Sequence, residues 1–173
     1  MFKRFYPKKE VKTVFELNEE FFSTYNIRGV VFDIDNTLVT HDTPTPPEDI
    51  LEYFETLEKQ GIKIAIVSNN HAPRVELFCK DLGYPYIARA WKPFKKNLRI
   101  IQDKLNLPAE EISLVGDQIF TDIYGGNRMK FYSVLVTAVG KNETNLVAIK
   151  RYFEKLVLWE YRRSLKKQSK QGK

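Results

Sequence analysis

Residues 29–39 read Gly-Val-Val-Phe-Asp-Ile-Asp-Asn-Thr-Leu-Val. The apolar run at 30–32 predicts a buried β-strand, and two carboxylates, Asp33 and Asp35, follow it with one residue between them. Because side chains alternate along a strand, we expect both acids to point to one side and Ile34 to point into the fold. Two neighbouring acids repel each other unless a cation lies between them or their protonation states differ.

This pair of acids is suited to phosphoryl transfer. One Asp attacks phosphorus beside a divalent metal, and the other handles the proton of the leaving group. The alternative is a strand end followed by an Asp-Asn turn, since both residues are common in turns.

Apolar runs of strand length alternate with amphipathic helices along the chain. Strands are predicted at 28–33, 62–67, 86–88, 112–115 and 131–136. Helices are predicted at 47–60, 73–82, 94–105, 120–129 and 143–165. In the first of these helices, the apolar face is expected to consist of Ile50, Leu51, Phe54 and Leu57. The alternation predicts an α/β fold with a mainly parallel five-stranded sheet and helices on both faces.

We expect one domain over residues 1–173. Its core would span about 15–150, between a basic N-terminal segment at 1–14 and a basic amphipathic helix and tail at about 143–173. The single Cys79 excludes an internal disulfide and a multi-cysteine metal site, and its spacing in the helix at 73–82 predicts burial.

Three polar clusters fall at predicted strand ends. Beside the two acids after the first strand, these are Ser68-Asn69-Asn70 and Gly116-Asp117. Ligands of parallel sheets bind beyond the carboxyl ends of the strands, so the three clusters are expected to form one site.

Two of the remaining candidates would bind phosphate. The Ser68 hydroxyl, with backbone N–H groups that open a helix, can hold a phosphate oxygen. The alternative is a Ser-Asn turn that caps the helix, which would be preferred if Asp33 were absent. Lys92, in Arg89-Ala90-Trp91-Lys92-Pro93, can neutralise the oxygens of a phosphoryl group in its transition state. Lys95 and Lys96 are rival candidates within the next helix, and a solvated surface lysine is the alternative.

The acids after the fourth strand are candidates for a metal site. Mg²⁺ prefers oxygen ligands, and Asp33, the backbone carbonyl of Asp35 and Asp117 would hold it together with water and substrate. Asp122 would contact a metal-bound water or orient Lys92. The alternatives are a Gly-Asp turn for Asp117 and helix-dipole complementarity for Asp122.

Taken in order, these motifs resemble the haloacid dehalogenase (HAD) superfamily. The form G-D-Q-x-x-T-D at 116–122 is similar to subfamily IIIA phosphatases, especially the YqeG-like group related to phosphatidylglycerophosphate phosphatases. The resemblance covers about residues 15–150 and implies a Rossmann-like fold and a phosphatase with an aspartyl-phosphate intermediate. It implies Asp33 as nucleophile and Asp35 as general acid/base. The remaining roles that it implies are phosphate binding by Ser68, Asn69 and Lys92, metal binding by Asp33, Asp35 and Asp117, and support by Thr37 and Asp122.

The spacing of the motifs leaves no room for an inserted cap domain. Thr37 to Ser68 accommodates a loop, one helix and one strand, and Ser68 to Lys92 a helix and a short strand. We therefore expect an open site, which suits a phosphate displayed on a large object. Thr37 is expected to fix the turn that holds Asp35, and His41 and His71 would lie at the rim without an assigned role.

Charge is concentrated at the two ends of the chain. Residues 150–173 contain nine Lys or Arg against two Glu, and residues 1–12 contain five against one, whereas acids exceed bases in between. Both basic ends, which are rich in aromatic residues, are expected to contact an anionic membrane. The alternative for the C-terminal helix is that it packs its apolar stripe on the sheet. With the resemblance, these basic ends favour a phospholipid headgroup such as phosphatidylglycerophosphate as substrate.

Other functions remain open at this point. They are a phosphatase that acts on protein or nucleotide substrates, an RNA- or ribosome-associated protein, and a phospho-acceptor receiver domain. The last is disfavoured because a receiver carries its acceptor Asp on a middle strand. No apolar stretch is long enough to span a bilayer, and the first residues lack the apolar run of a secretory signal. A cytoplasmic location, with peripheral contact at the inner membrane face, is therefore expected.

Overall fold

The computed structural model describes the backbone of residues 2–140 and 145–171, and the side chains of 2–140 and 153–166. All strands run parallel in one sheet of order β1-β6-β5-β2-β3-β4. The strands are β1 (Lys9–Val11), β2 (Gly29–Phe32), β3 (Lys63–Val67), β4 (Tyr86–Ile87), β5 (Ile112–Gly116) and β6 (Tyr132–Val136). The helices are α1 (Glu19–Thr24), α2 (Glu48–Lys59), α3 (Ala72–Cys79), α4 (Lys95–Leu105), α5 (Tyr124–Met129) and α6 (Asn145–Gln171).

The predicted α/β architecture is confirmed, but the sheet has six strands, not five. The additional strand, β1, pairs with β6 at the sheet edge, with Glu10 opposite Leu135. This strand has three residues, Lys9-Glu10-Val11, and two of them are charged. Its sequence therefore does not show the alternation that indicates a strand.

Helices cover both faces of the sheet, as the alternation predicts. Val30 and Phe32 of β2 face one apolar cluster, which includes residues of α2 and α3. Val31 faces the other cluster, which lies beneath α4 and α5. Residues 37–92 contain only α2, β3, α3 and β4 between connecting loops, so the expected absence of a cap domain in this stretch is confirmed.

The predicted buried face of α2 is wrong at one residue. Ile50, Phe54 and Leu57 are buried as expected, but Leu51 is 41% exposed. The fourth buried position is Tyr53, whose hydroxyl donates a hydrogen bond to the Leu17 carbonyl at 2.9 Å. The helical repeat of 3.6 residues directs position 53, not 51, towards this face. Cys79 is buried, as predicted.

The C-terminal helix α6 packs along the carboxyl edge of the sheet. Val157 joins Ile119, Ile123 and Leu135 in a small apolar cluster, and the buried Glu154 accepts a hydrogen bond from the Ile119 N–H at 2.7 Å. The expected packing of an inward stripe is therefore confirmed. The predicted helix start at 143–144 lies outside the described residues. None of the described helices has the length and apolarity needed to cross a bilayer.

Two neighbouring positions in α2 test this packing. We expect Phe54→Ala to lower the free energy of unfolding by about 3–5 kcal/mol, because it leaves a cavity where a fully buried ring was. Leu51→Ala should cost less than about 1 kcal/mol, because much of that side chain already contacts water. Urea denaturation measures both. Equal losses for the two variants would contradict the assigned face of α2.

Candidate active site

The polar residues predicted to form a site lie at the carboxyl ends of three adjacent strands. Asp33 follows β2, Ser68 follows β3 and Asp117 follows β5, and β2 lies between the other two strands. All three side chains are buried. The convergence expected from the sequence is therefore observed.

Three carboxylates form a compact cluster at this edge. One oxygen each of Asp33, Asp117 and Asp122 lies within 4.8 Å of the other two, and all three residues are buried. Carboxylate oxygens at this spacing are suitable ligands for a hard divalent cation. Asp122, which the sequence places in a supporting role, is a full member of this cluster, whereas the Asp35 carboxylate is not.

Lys92 is the cation that contacts this cluster. Its Nζ lies 2.5 Å from Asp33 Oδ1 and 2.8 Å from Asp122 Oδ1, and donates to the Val67 carbonyl at 3.0 Å. The expected contact between Asp122 and Lys92 is thus confirmed. Asn69 fixes the Lys92 backbone with two hydrogen bonds, since its Oδ1 accepts from the Lys92 N–H at 2.7 Å and its Nδ2 donates to the Lys92 carbonyl at 3.1 Å.

The pKa values of Asp33 and Lys92 are both raised, but for different reasons. Burial raises the pKa of the Asp33 carboxyl to about 8; the Lys92 ammonium opposes this rise, and the charges of Asp122 and Asp117 add to it. Burial alone would lower the pKa of Lys92, but the charges of Asp122 and Asp33 outweigh it and raise that pKa. A divalent cation would favour the ionised form of Asp33 that a nucleophile requires.

The Asp35 carboxylate lies in a different environment. Its Oδ2 accepts a hydrogen bond from Asn70 Nδ2 at 3.0 Å, and its Oδ1 lies 3.2 Å from Arg74 Nη2. His41 Nδ1 is 3.4 Å from the same Oδ1, which places this histidine at the rim as expected. Arg74 also donates to the Pro44 carbonyl at 3.1 Å and thereby ties α3 to the loop before α2. The two acids of the motif therefore have separate partners.

The chain matches known proteins in family and in fold. The family model of the haloacid dehalogenase-like hydrolases matches residues 6–136, which are most of the chain. The chain belongs to the haloacid dehalogenase-like hydrolase family. It is also 36% identical over 159 residues to a protein of Bacillus subtilis named "Probable phosphatase YqeG", covering 91% of this chain and 92% of that protein. The predicted family and the predicted HAD-type phosphatase class are confirmed, and the receiver-domain alternative is excluded.

Solved structures with the same fold are more distant in sequence. An uncharacterised protein of Listeria monocytogenes has a TM-score of 0.54 at 20% identity, covering 68% of this chain and 84% of its own. The cobalt-bound deoxy-D-mannose-octulosonate 8-phosphate phosphatase of Haemophilus influenzae has a TM-score of 0.50 at 18% identity, covering 79% and 90%. At sequence identities of 18–20%, the structural similarity to these two proteins shows a shared fold.

Thr37, Ser68 and Asn69 each make local contacts at the site. The Thr37 N–H donates to the Ile34 carbonyl at 3.2 Å, which closes the turn around Asp35 as expected, and Thr37 Oγ1 donates to Asp33 Oδ2 at 3.4 Å. Ser68 Oγ accepts a hydrogen bond from the Asn70 N–H at 3.1 Å and forms a turn. Asn69 holds Lys92 in place, as described above. Phosphate binding by Ser68 and Asn69 stays a prediction.

Sequence reasoning missed the residues that surround these side chains. Arg74 and Asn70 hold Asp35, and Glu154 connects α6 to the turn after β5. Asn70 belongs to a cluster that the sequence singles out, but its partner could not be inferred from spacing. Arg74 and Glu154 are ordinary charged residues of amphipathic helices, and only the fold brings them to the site.

Gly116 offers a test of the carboxylate cluster. A Cβ atom at position 116 would collide with the carboxyl group of Asp122, so Gly116→Ala should displace Asp122 from Lys92. We expect kcat to fall about 100-fold, since small displacements in an active site have effects of that size. Steady-state hydrolysis of p-nitrophenyl phosphate measures the change.

The matched control for this prediction is Gly83→Ala. Gly83 has φ +73° and open space around its Cα, so an alanine there strains the backbone far from the acids. It should reduce stability and leave kcat unchanged. A Gly116→Ala variant with normal kcat would contradict the packing of Asp122 against this glycine.

Proposed function

We propose that this hydrolase cleaves phosphomonoesters with Mg²⁺ and carries the phosphoryl group on Asp33. The observation that supports this best is the position of Asp33, buried between two further carboxylates and the Lys92 ammonium. Such a site offers a nucleophile, cation ligands and a fixed positive charge within a few ångströms.

The charges of the site fit a divalent cation. Three buried carboxylates face one buried ammonium, and Mg²⁺ would offset the remaining negative charge. Asp33, Asp117 and Asp122 would hold it through side-chain oxygens, and Asp35 through its backbone carbonyl. When bound, Mg²⁺ neutralises charge on the phosphoryl oxygens.

The residues of the chain divide the reaction into two displacements. An oxygen of Asp33 forms a bond to phosphorus while the bond to the leaving oxygen breaks, and protonated Asp35 gives its proton to that oxygen. Ionised Asp35 then takes a proton from the water that attacks phosphorus, which releases phosphate and restores Asp33. Lys92 neutralises the phosphoryl oxygens, and Ser68 and Asn69 offer further hydrogen bonds. Asp35 must turn from Arg74 towards the leaving oxygen for the first step.

For the substrate we propose a phospholipid headgroup such as phosphatidylglycerophosphate. The side of α6 that faces away from the sheet supports this choice. We call it the outer face of α6, and it consists of Leu156, Trp159, Arg163 and Lys166. Trp159 is 62% exposed, and the Arg163 guanidinium lies 5.3 Å from the centre of its ring.

Exposed Trp and Leu between Lys and Arg are the composition of helices that lie on anionic membranes. The open site after β2, β3 and β5 would reach a phosphate displayed on such a surface. We therefore place the enzyme in the cytoplasm, in peripheral contact with the inner face of the membrane.

Substitution of Asp33 tests both the nucleophile and the metal site. Asp33→Asn should lower kcat at least about 10³-fold, because the amide cannot carry the phosphoryl group. Mg²⁺ at a hundredfold excess over its Kd should stabilise the wild type by about 2.7 kcal/mol, which raises its Tm by several degrees. The Asp33→Asn variant should show only a small part of this Mg²⁺-dependent increase in Tm.

Asp103→Asn, an exposed acid on α4, is the control and should behave like the wild type in both assays. Differential scanning fluorimetry with and without Mg²⁺ measures the stabilisation. An Asp33→Asn variant that still turns over would refute the proposed nucleophile.

A substrate panel tests the proposed headgroup. With Mg²⁺, the wild type should release phosphate from phosphatidylglycerophosphate in mixed micelles faster than from soluble nucleotides, sugar phosphates or phosphopeptides. Trp159→Ser should reduce the preference for the micellar substrate about tenfold, since burial of a large aromatic side chain contributes about 1.5–3 kcal/mol. Phe15→Ser, at another exposed aromatic residue, should leave that preference unchanged. No phosphate release from the lipid would refute the headgroup assignment.

A further inference from the structure

A cavity of about 250 Å³ lies beside the carboxylate cluster, between α6 and the carboxyl ends of β1 and β6. Asp117 forms part of its lining, so the cavity adjoins the proposed metal site. The aliphatic part of the lining comes from Val11, Val136, Ala138 and Leu158. None of these residues has a role in the two displacements described above.

One polar group in this lining has an unused acceptor. Glu10 Oε2 pairs with Arg162 Nη2 at 2.8 Å, whereas Glu10 Oε1 is buried and accepts no hydrogen bond from the described residues. A buried acceptor without a donor is unfavourable. A hydroxyl group of a bound molecule would donate to it, and the Arg162 partner keeps the carboxylate in place.

The cavity continues into a second concavity along α6. The two share Lys155, Leu158 and Arg162, and the second adds Trp159 and Arg163 of the outer face. A path lined by basic and apolar side chains therefore leads from Asp117 to the outer face of α6.

We propose that this cavity binds the alcohol part of the phosphomonoester, and that this alcohol is a short aliphatic polyol. The inference rests on the proposed function, because it assumes that the phosphate lies at Asp33. The aliphatic lining contacts the carbon chain, Glu10 accepts a hydrogen bond from a hydroxyl, and the basic path receives an anionic substituent. The volume of about 250 Å³ leaves room for a group of the size of glycerol.

The test compares two substrates that differ in their hydroxyl groups. In the wild type, kcat/KM should be at least about tenfold higher for glycerol 3-phosphate than for propyl phosphate. Glu10→Gln keeps the shape of the side chain but removes its charge, and should reduce this ratio about tenfold. A third substrate, phosphatidylglycerophosphate in mixed micelles, distinguishes a lipid headgroup from a free polyol phosphate as the source of the alcohol.

A second variant tests the volume of the cavity. Ala138→Leu fills space in its lining, and should reduce kcat/KM for glycerol 3-phosphate at least about tenfold relative to acetyl phosphate. Val139→Leu is the matched control, because this adjacent side chain is 54% exposed and does not line the cavity. It should keep the ratio of the wild type, and thermal unfolding verifies that each variant is folded.

The possible outcomes separate this inference from the proposed function. If the wild type hydrolyses none of these phosphates, the proposed function fails. If the wild type hydrolyses them with similar kcat/KM for glycerol 3-phosphate and propyl phosphate, the cavity assignment is overturned and the function stands. The same holds if folded Glu10→Gln and Ala138→Leu both keep the ratios of the wild type. A reduced ratio in either variant, with an unchanged control, supports the assignment.

Discussion

The burial of three carboxylates against one ammonium is the constraint on which this structure depends. Asp33 and Asp117 lie at the ends of parallel strands, and Asp122 lies in the helical turn that follows Asp117. Lys92 contacts Asp33 and Asp122 where removal of charges from water is unfavourable. The surrounding chain is arranged to keep these charges together. Asn69 holds the Lys92 backbone by two hydrogen bonds, and the absence of a side chain at position 116 leaves the space that Asp122 occupies.

The two acids of the first motif occupy unlike surroundings, which is how two carboxyl groups acquire different roles. Asp33 lies in the buried cluster, whereas Asp35 contacts Asn70 and Arg74 at a partly exposed position. Arg74 belongs to α3 and also contacts the loop before α2, so the setting of Asp35 depends on a helix that contributes nothing to the carboxylate cluster. The proposed nucleophile and the proposed proton carrier are thus held by different sets of neighbours.

The sequence predicts most of the fold and the acids of the site, because both follow from local patterns. The apolar run before Asp33 identifies β2, and the polar residues after each strand converge since parallel strands end at one edge. What local patterns miss depends on the whole fold. β1 is too short to show a period, Leu51 lies just outside the buried arc of α2, and the hydrogen bond from Thr37 to Asp33 is not visible in the spacing of the motif. Likewise, the sequence does not distinguish Arg74 and Glu154 from charged residues on the solvent-exposed face of a helix, because only the fold brings them to their partners.

The position of α6 has a consequence for how such enzymes diverge. This helix lies beyond residues 6–136, which match the family model, yet it forms one wall of the cavity beside Asp117. Its anchor is the contact of Glu154 with the Ile119 N–H, a backbone group that any sequence in that turn provides. The lining of this cavity is therefore shared between the stretch that matches the family model, which contributes Glu10 and Val136, and a helix beyond that stretch. A different helix at this position would change one wall of the cavity and leave the carboxylate cluster in place.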